Sequence, residues 1–215
     1  MKALVIGANG QIGKHIVNQL KKSDEHTVRA MVRKEEQAEE LKKNGIDAVI
    51  ANLEGSKKSL VKAAKGCDAV IFTAGSGGST GADKTLLIDL DGAVKAIEAA
   101  EETGVERFVM VSALQANNRE KWSEKIRHYY VAKHYADRML EASNLNYTIV
   151  RPGGLLNEDG TGKVHIAGNL DERGFVPRED VAATVIASLS EENTHKQAFD
   201  LVSGETAIAD SLKNL

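Results

Sequence analysis

The sequence predicts an α/β protein, a single domain of 215 residues whose parallel sheet is doubly wound by helices. Two observations support this fold class. Short apolar runs bounded by turn residues alternate with longer amphipathic segments, an order typical of parallel strands joined by crossover helices. The chain is long enough for one substantial core but too short for a second large domain, and it contains neither an internal repeat nor a linker.

Strands and helices are expected in alternation along the whole chain. The strands are residues 3–6, 27–32, 47–51, 69–73, 107–111, 147–150 and 198–202, and the helices are 11–22, 35–43, 56–64, 83–102, 122–143 and 178–189. Gly45 and Gly104 support two of the helix ends, because glycine adopts the left-handed conformation that closes a helix. Residues 153–175 are glycine-rich with little periodicity, so we expect an excursion over the sheet's edge on the substrate side.

Composition excludes several classes of protein. A net charge of −3 gives no bulk attraction to nucleic acid or to an anionic membrane. No apolar stretch approaches the roughly 20 residues that span a bilayer, and the N-terminus lacks the features of a signal peptide. The single cysteine, Cys67, excludes an internal disulfide, and the histidines are too scattered to indicate a metal site. We expect a soluble cytoplasmic protein that acts on a small molecule.

A glycine-rich turn directly follows the first strand. Gly7, Gly10 and Gly13 are spaced three residues apart between this strand and an amphipathic helix. Gly7 lets the chain leave the strand sharply, Gly10 removes a side chain where the backbone approaches a pyrophosphate, and Gly13 lets the helix lie close to the sheet. The helix N-terminus then directs its amides and its positive dipole end at the phosphates. The turn predicts a bound dinucleotide, and a structural turn without a ligand is the alternative.

The end of the second strand favours NADP over NAD. Arg33 and Lys34 stand where NAD-preferring domains carry a carboxylate. Arg33 can pair with a 2′-phosphate and stack on adenine, although both residues are also compatible with an ordinary charged surface. Further contacts to the adenine and to the second ribose are expected after the third and fourth strands, from Asn52, Leu53, Ala74, Gly75 and Ser76.

A tyrosine and a lysine on the helix predicted at 122–143 are candidates for proton transfer. Tyr129 and Lys133 are four residues apart and therefore share a helix face. We expect the ammonium to lower the tyrosine's pKa from about 10, so that its hydroxyl exchanges a proton with a substrate oxygen. Ser112, at the end of a central strand, is placed to hydrogen-bond the same oxygen. A chance pair on the helix surface is the alternative, and Tyr130 is expected to pack or to form a pocket wall.

Four segments in this order resemble the short-chain dehydrogenase/reductase superfamily, and within it the atypical NAD(P)-binding members that grade into NmrA-like and epimerase/dehydratase-like proteins. They are GANGQIG at 7–13, DAVIFTAG at 68–75, GVERFVMVS at 104–112 and YTIVRPG at 147–153. The resemblance implies a Rossmann fold, with Lys133 holding the nicotinamide ribose. It also implies cofactor contacts from Gly7, Asn9, Gly10, Gln11, Ile12, Gly13, Pro152 and Gly153. The asparagine that typical members carry on the helix before Ser112 has no clear counterpart in 83–102.

These observations lead to one functional prediction and two alternatives. We predict an NADP-dependent oxidoreductase that transfers hydride to a small carbonyl, quinone or flavin-like acceptor, with Tyr129, Lys133 and Ser112 as its catalytic residues. The NmrA-like resemblance implies the first alternative, a redox sensor that binds NADP and a protein partner. The second is an epimerase or dehydratase that recycles its cofactor. The chain is expected to be a monomer or a homodimer, and the sequence does not specify the substrate.

Overall fold

The computed structural model describes all 215 residues of the chain. The strands are β1 (Lys2–Ile6), β2 (Thr27–Val32), β3 (Asp47–Ile50), β4 (Ala69–Phe72), β5 (Arg107–Val111), β6 (Asn146–Pro152), β7 (Gly154–Leu156), β8 (Lys163–Ala167), β9 (Phe175–Pro177), β10 (Gln197–Ser203) and β11 (Thr206–Ala207). The helices are α1 (Gln11–Lys21), α2 (Glu35–Lys43), α3 (Lys57–Ala64), α4 (Ala82–Lys84), α5 (Asp91–Thr103), α6 (Arg127–Glu141), α7 (Arg178–Ala187) and α8 (Ile208–Lys213).

Nine strands form one mostly parallel sheet in the order β3-β2-β1-β4-β5-β6-β10-β8-β11. The strands from β3 to β10 are parallel to one another, whereas β8 is antiparallel to β10 and β11 is antiparallel to β8. A separate parallel pair is formed by β7 and β9. The doubly wound α/β fold predicted from the sequence is confirmed, with an antiparallel extension at one edge.

The core has one layer on each side of the sheet. Alternate strand residues point to opposite faces, so in β1 Ala3 and Val5 belong to one layer and Leu4 and Ile6 to the other. The first layer is covered by α1 and α7, and the second by α3, α5 and α6. Because both faces are covered, the central strands are almost wholly apolar, which is typical of buried parallel sheets. None of the helices has the length and apolarity needed to cross a bilayer.

Two predicted helices are wrong in their extent. The helix predicted at 122–143 begins only at Arg127, after 3₁₀ turns at Arg119–Lys121 and Glu124–Ile126. Trp122 has an extended backbone, and its ring nitrogen donates to the carbonyl oxygen of Ala116, which holds it outside the helix. The helix predicted at 83–102 is interrupted by a π-helical turn at Thr85–Leu90, a wider turn often found at functional sites.

The glycine-rich stretch is more regular than expected. Residues 163–167 form β8 within the main sheet, where Val164 is buried while Lys163 and His165 are exposed. This alternation is the normal pattern of a strand with one covered face, and the surrounding glycines obscured it. Gly154–Leu156 instead forms β7, and residues 153–155 and 173–175 lie at the candidate site.

Candidate functional site

The backbone approaches itself closely at the glycine turn, as the spacing of the three glycines predicts. Gly7 has a φ of +94°, which only glycine adopts without strain, and a Cβ there would lie 2.7 Å from the amide nitrogen of Ala74. A Cβ on Gly13 would lie 2.1 Å from the carbonyl oxygen of Gly7. The amide of Gly10 donates to that same oxygen at 2.8 Å. The turn therefore brings α1 against the end of β1 and against the segment that follows β4.

The start of α1 leaves backbone donors free for an anion. The amides of Gln11 and Ile12 donate to no acceptor in the protein, the N-cap Gly10 supplies no side chain, and the first turn contains no acidic residue. Free amides and the positive end of the helix dipole together favour a phosphate at this point. Beside the turn, the buried hydroxyl of Thr73 also has no hydrogen-bond partner. Asn9 is exposed at the same turn. These residues fit the pyrophosphate of a dinucleotide.

Residues proposed for the adenine end lie after β2 and β3, which are neighbours in the sheet. Arg33 is exposed and forms no ion pair, so its guanidinium is free for a ligand. The amides of Arg33 and Lys34 donate to Gln37 Oε1, which fixes the turn between them and α2. Asn52 is exposed, and its Oδ1 accepts from the amide of Glu54 at 3.0 Å. Leu53 is instead buried in the core, so it supports this edge from below.

The segment after β4 is held by the carboxylate of Asp89, for which the sequence predicted no role. Ser76 donates its amide to Oδ2 of Asp89 at 2.9 Å, and its hydroxyl lies 3.3 Å from that of Thr85. Asp89 is only 1% exposed, and it lies in the π-helical turn. A Cβ on Gly75 would lie 3.2 Å from the other oxygen of Asp89. The path proposed for the second ribose, Ala74 to Ser76, is therefore fixed by Asp89.

Four of the predicted site residues share one cavity of about 340 Å³. Ser112 and Tyr129 line it together with Pro152 and Gly153. The Ser112 hydroxyl is buried and has no hydrogen-bond partner in the protein, so it is available to a ligand in the cavity. Tyr130 forms part of the wall, as predicted, and its ring stacks on Trp122 with centroids 6.0 Å apart.

Lys133 is not part of the cavity wall. Its side chain is fully buried, and its Nζ donates to the carbonyl oxygen of Val111 at 2.8 Å. An ammonium has three N–H groups, so two remain without an acceptor. Val111 directly precedes Ser112, and this hydrogen bond therefore connects α6 to the end of β5 next to the serine.

The expected effect of Lys133 on the tyrosine's pKa is wrong. Burial raises the pKa of Tyr129 above its ordinary value of 10, and the negative charge of Asp89 adds to this rise. Burial also lowers the pKa of Lys133 below 10.5, an effect that Asp89 and Asp137 partly offset. Desolvation disfavours the charged form of each group, and it is the largest cause of both shifts. Tyr129 is therefore a protonated hydroxyl at neutral pH.

A buried ion pair supports the same helix. Nε of Arg151 donates to Oδ2 of Asp137 at 2.8 Å, and the two side chains are 3% and 2% exposed. The other carboxylate oxygen of Asp137 has no partner. The sequence marks Arg151 only as part of the segment 147–153, because its partner Asp137 lies on another element. Asp137 and Asp89 thus place two carboxylates near Tyr129 and Lys133.

The outer wall of the cavity is held by close contacts at two glycines and by hydrogen bonds of Asp200 and Gln115. Gly154 donates its amide to the carbonyl oxygen of Gly174 at 2.8 Å, and a Cβ on Gly153 would lie 2.3 Å from that oxygen. The buried carboxylate of Asp200 accepts from the amides of Gln115 and Leu170, and the Gln115 side chain donates to the Leu170 carbonyl. These bonds tie the 168–174 segment to the loop after β5 and to the middle of β10.

Comparisons with known proteins support the same fold. The sequence model of a family described as NAD(P)H-binding matches residues 7–192. The uncharacterized sugar epimerase YhfK of Bacillus subtilis is 64% identical over 215 residues, which cover both chains completely. A solved structure from Bacillus halodurans, named as a candidate NAD-dependent epimerase/dehydratase, is 43% identical with a TM-score of 0.94 and full coverage of both chains. The oxidoreductase YlbE of Lactococcus lactis is 32% identical with a TM-score of 0.89, over 100% of this chain and 96% of that one.

Proposed function

We propose, on the premise that this chain belongs to the NAD(P)H-binding family, that it is an NADP-dependent oxidoreductase that reduces a carbonyl, quinone or flavin-like acceptor. One observation carries the proposal. The unpartnered hydroxyl of Ser112 and the side chain of Tyr129 line the same cavity at the carboxyl end of the sheet, where parallel α/β folds bind their ligands.

The cofactor contacts follow from the residues with free donors. The amides of Gln11 and Ile12 would hold the pyrophosphate, and Lys133 would donate its two free N–H groups to the nicotinamide ribose. The unpaired guanidinium of Arg33 would bind a 2′-phosphate, which supports NADP over NAD. When bound, NADPH supplies a hydride.

The protein's own part in the reaction is proton transfer and positioning. Ser112 donates a hydrogen bond to the acceptor's oxygen and so fixes its orientation. Tyr129, protonated at neutral pH, gives its proton to that oxygen while the adjacent carbon accepts the hydride. The acceptor thus gains two electrons and two hydrogens. The positive charge of Lys133 stabilises the phenolate left on Tyr129 until it takes a proton from solvent.

The test follows NADPH oxidation by absorbance with a panel of quinones, aldehydes, ketones and flavins. Tyr129→Phe should lower kcat by about 10²–10⁴-fold without changing the Kd for NADPH, because it removes only the proton donor. Ser112→Ala should lower kcat and raise KM. Tyr135→Phe is the matched control, since Tyr135 is exposed on the same helix and outside the cavity. Equal rates for Tyr129→Phe and the wild type contradict the assigned role.

Arg33→Ala tests the cofactor. The variant should bind NADPH about tenfold more weakly or worse and leave NADH binding unchanged, because the lost charge-assisted contact involves only the 2′-phosphate. Lys62→Ala, a loss of the same charge on α3, is the control. An equal loss of affinity for both cofactors contradicts NADP selectivity.

A cofactor-recycling epimerase is the second candidate, favoured by the description of the relative that is 64% identical. It uses the same cavity and the same tyrosine. Interconversion of a sugar or sugar nucleotide without net NADPH consumption would support it. Binding of NADPH with neither reduction nor isomerisation would instead support a redox sensor.

A further inference from the structure

The lining of the cavity carries a single charge. Among its twelve residues, Arg173 is the only ionisable group charged at neutral pH, and the others are apolar, glycine or hydroxyl side chains. Three of them are aromatic: Tyr129, Tyr130 and Phe175. Such a wall suits a flat, conjugated molecule, because aromatic rings stack on one another and bury large apolar areas.

The guanidinium of Arg173 is anchored but not neutralised. Its Nη2 donates to the carbonyl oxygen of Lys121 at 2.9 Å, which is its only hydrogen bond to the protein. It forms no ion pair with a carboxylate. Because a guanidinium has five N–H groups, four remain for a ligand. Asp171 and Glu172 line a neighbouring cavity of about 320 Å³ that Arg173 also borders, but they do not line the first one.

Phe175 is an aromatic ring left open to solvent at the mouth of this cavity. It is 64% exposed, more than any other large apolar side chain in the chain. A Cβ on Gly154 would lie 2.5 Å from its Cδ1, so only glycine lets the ring lie against the β7 backbone. The ring is therefore held in place from below while its other face is uncovered, which is the arrangement of a binding surface.

We infer that the acceptor is a flat conjugated molecule with a carboxylate or other anionic group, and that Arg173 binds this group while Phe175 covers the conjugated part. This inference rests on the proposed oxidoreductase function and names its substrate class. Arginine forms two parallel hydrogen bonds with a carboxylate, and this geometry fixes orientation as well as adding affinity. Arg173 would thus determine which part of the acceptor faces Ser112 and Tyr129.

The test uses two probes, a naphthoquinone and the same naphthoquinone bearing a carboxylate. NADPH-dependent reduction gives KM for each, and quenching of the single tryptophan, Trp122, reports binding without turnover. The wild type should have a KM about tenfold lower for the acid than for the neutral quinone. Arg173→Gln should raise KM for the acid about tenfold and leave the neutral quinone unchanged. Phe175→Ala should weaken binding of both.

Arg138→Gln is the matched control, because Arg138 is exposed on α6, forms no ion pair and lies outside the cavity. Thermal melting should be the same for all the variants. Reduction of both quinones with equal KM, unaffected by Arg173→Gln, overturns the inference and leaves the oxidoreductase standing. Quenching by the acid that Arg173→Gln abolishes, without reduction of either quinone, supports the anion site and contradicts the redox function. No quenching and no reduction contradicts both.

Discussion

Replacing Arg151 with methionine should strongly destabilise the protein. The substitution replaces the arginine by an unbranched apolar side chain that can fill much of the same space, and it removes the partner of Asp137. One oxygen of Asp137 already lacks a partner, and the other would lose its hydrogen bond of 2.8 Å at a site that is 2% exposed. Removing one member of a buried pair costs about 3–5 kcal/mol, because a charge then remains buried without compensation. The weaker contact from Arg151 to Glu141, which is partly exposed, adds little.

Urea unfolding followed by Trp122 fluorescence and by circular dichroism measures the loss directly. For a chain of this length, the same free energy corresponds to a fall in Tm of about 6–20 °C. The double variant Arg151→Met/Asp137→Leu should be more stable than Arg151→Met, because it removes the unpaired carboxylate. The reasoning is refuted if Arg151→Met lowers the free energy of unfolding by less than about 1 kcal/mol. It is also refuted if the double variant loses more free energy of unfolding than the two single variants lose together.

Three further predictions concern the turn, the outer wall and a strained residue. Gly13→Ala should raise the Kd for NADPH at least about tenfold, because a Cβ 2.1 Å from the Gly7 carbonyl forces the turn apart and lengthens the amide–phosphate hydrogen bonds; fluorescence titration checks this, and unchanged affinity contradicts it. Burial raises the pKa of Asp200, so its contribution to the free energy of unfolding is present below its ordinary pKa of 3.8 and is lost as pH rises through the higher folded value. Asp200→Asn should therefore lose less stability than the wild type between pH 3.8 and neutrality in urea unfolding at several pH values, and equal slopes would count against this. Lys196 is exposed and has a φ of +57°, a left-handed conformation that glycine adopts without strain. Lys196→Gly should therefore raise the free energy of unfolding by about 0.5–1 kcal/mol in urea unfolding. A lower free energy of unfolding in the variant would show that this conformation does not strain Lys196.

The strands at the centre of the sheet and the glycine turn were predictable, because each depends on a local pattern. A buried parallel strand is a continuous apolar run, and β4 and β5 begin and end close to the predicted residues. The contacts of Gly7 and Gly13 follow from the backbone geometry that such turns require. The predicted family resemblance is confirmed by the match over residues 7–192.

The electrostatics of the site could not be predicted from spacing. Four residues of separation placed Tyr129 and Lys133 on one helix face, but the sequence does not say how completely the fold removes them from water. Desolvation is the largest cause of both pKa shifts, and the charges of residues distant in the chain, such as Asp89, modify them. The pairing of Arg151 with Asp137 was hidden for the same reason, because a strand and a helix supply its two members.

The hydrogen bonds of Asp200 affect the order in which parts of the structure form during synthesis. During synthesis from the N-terminus, the neighbouring strands β1 to β5 are complete before β10 leaves the ribosome. The glycine turn and the edge that carries Arg33 belong to this early part. Asp200 lies on β10 and holds Leu170, so the outer wall of the cavity forms last. A nascent chain can therefore complete the glycine turn before the outer wall of the cavity is in place.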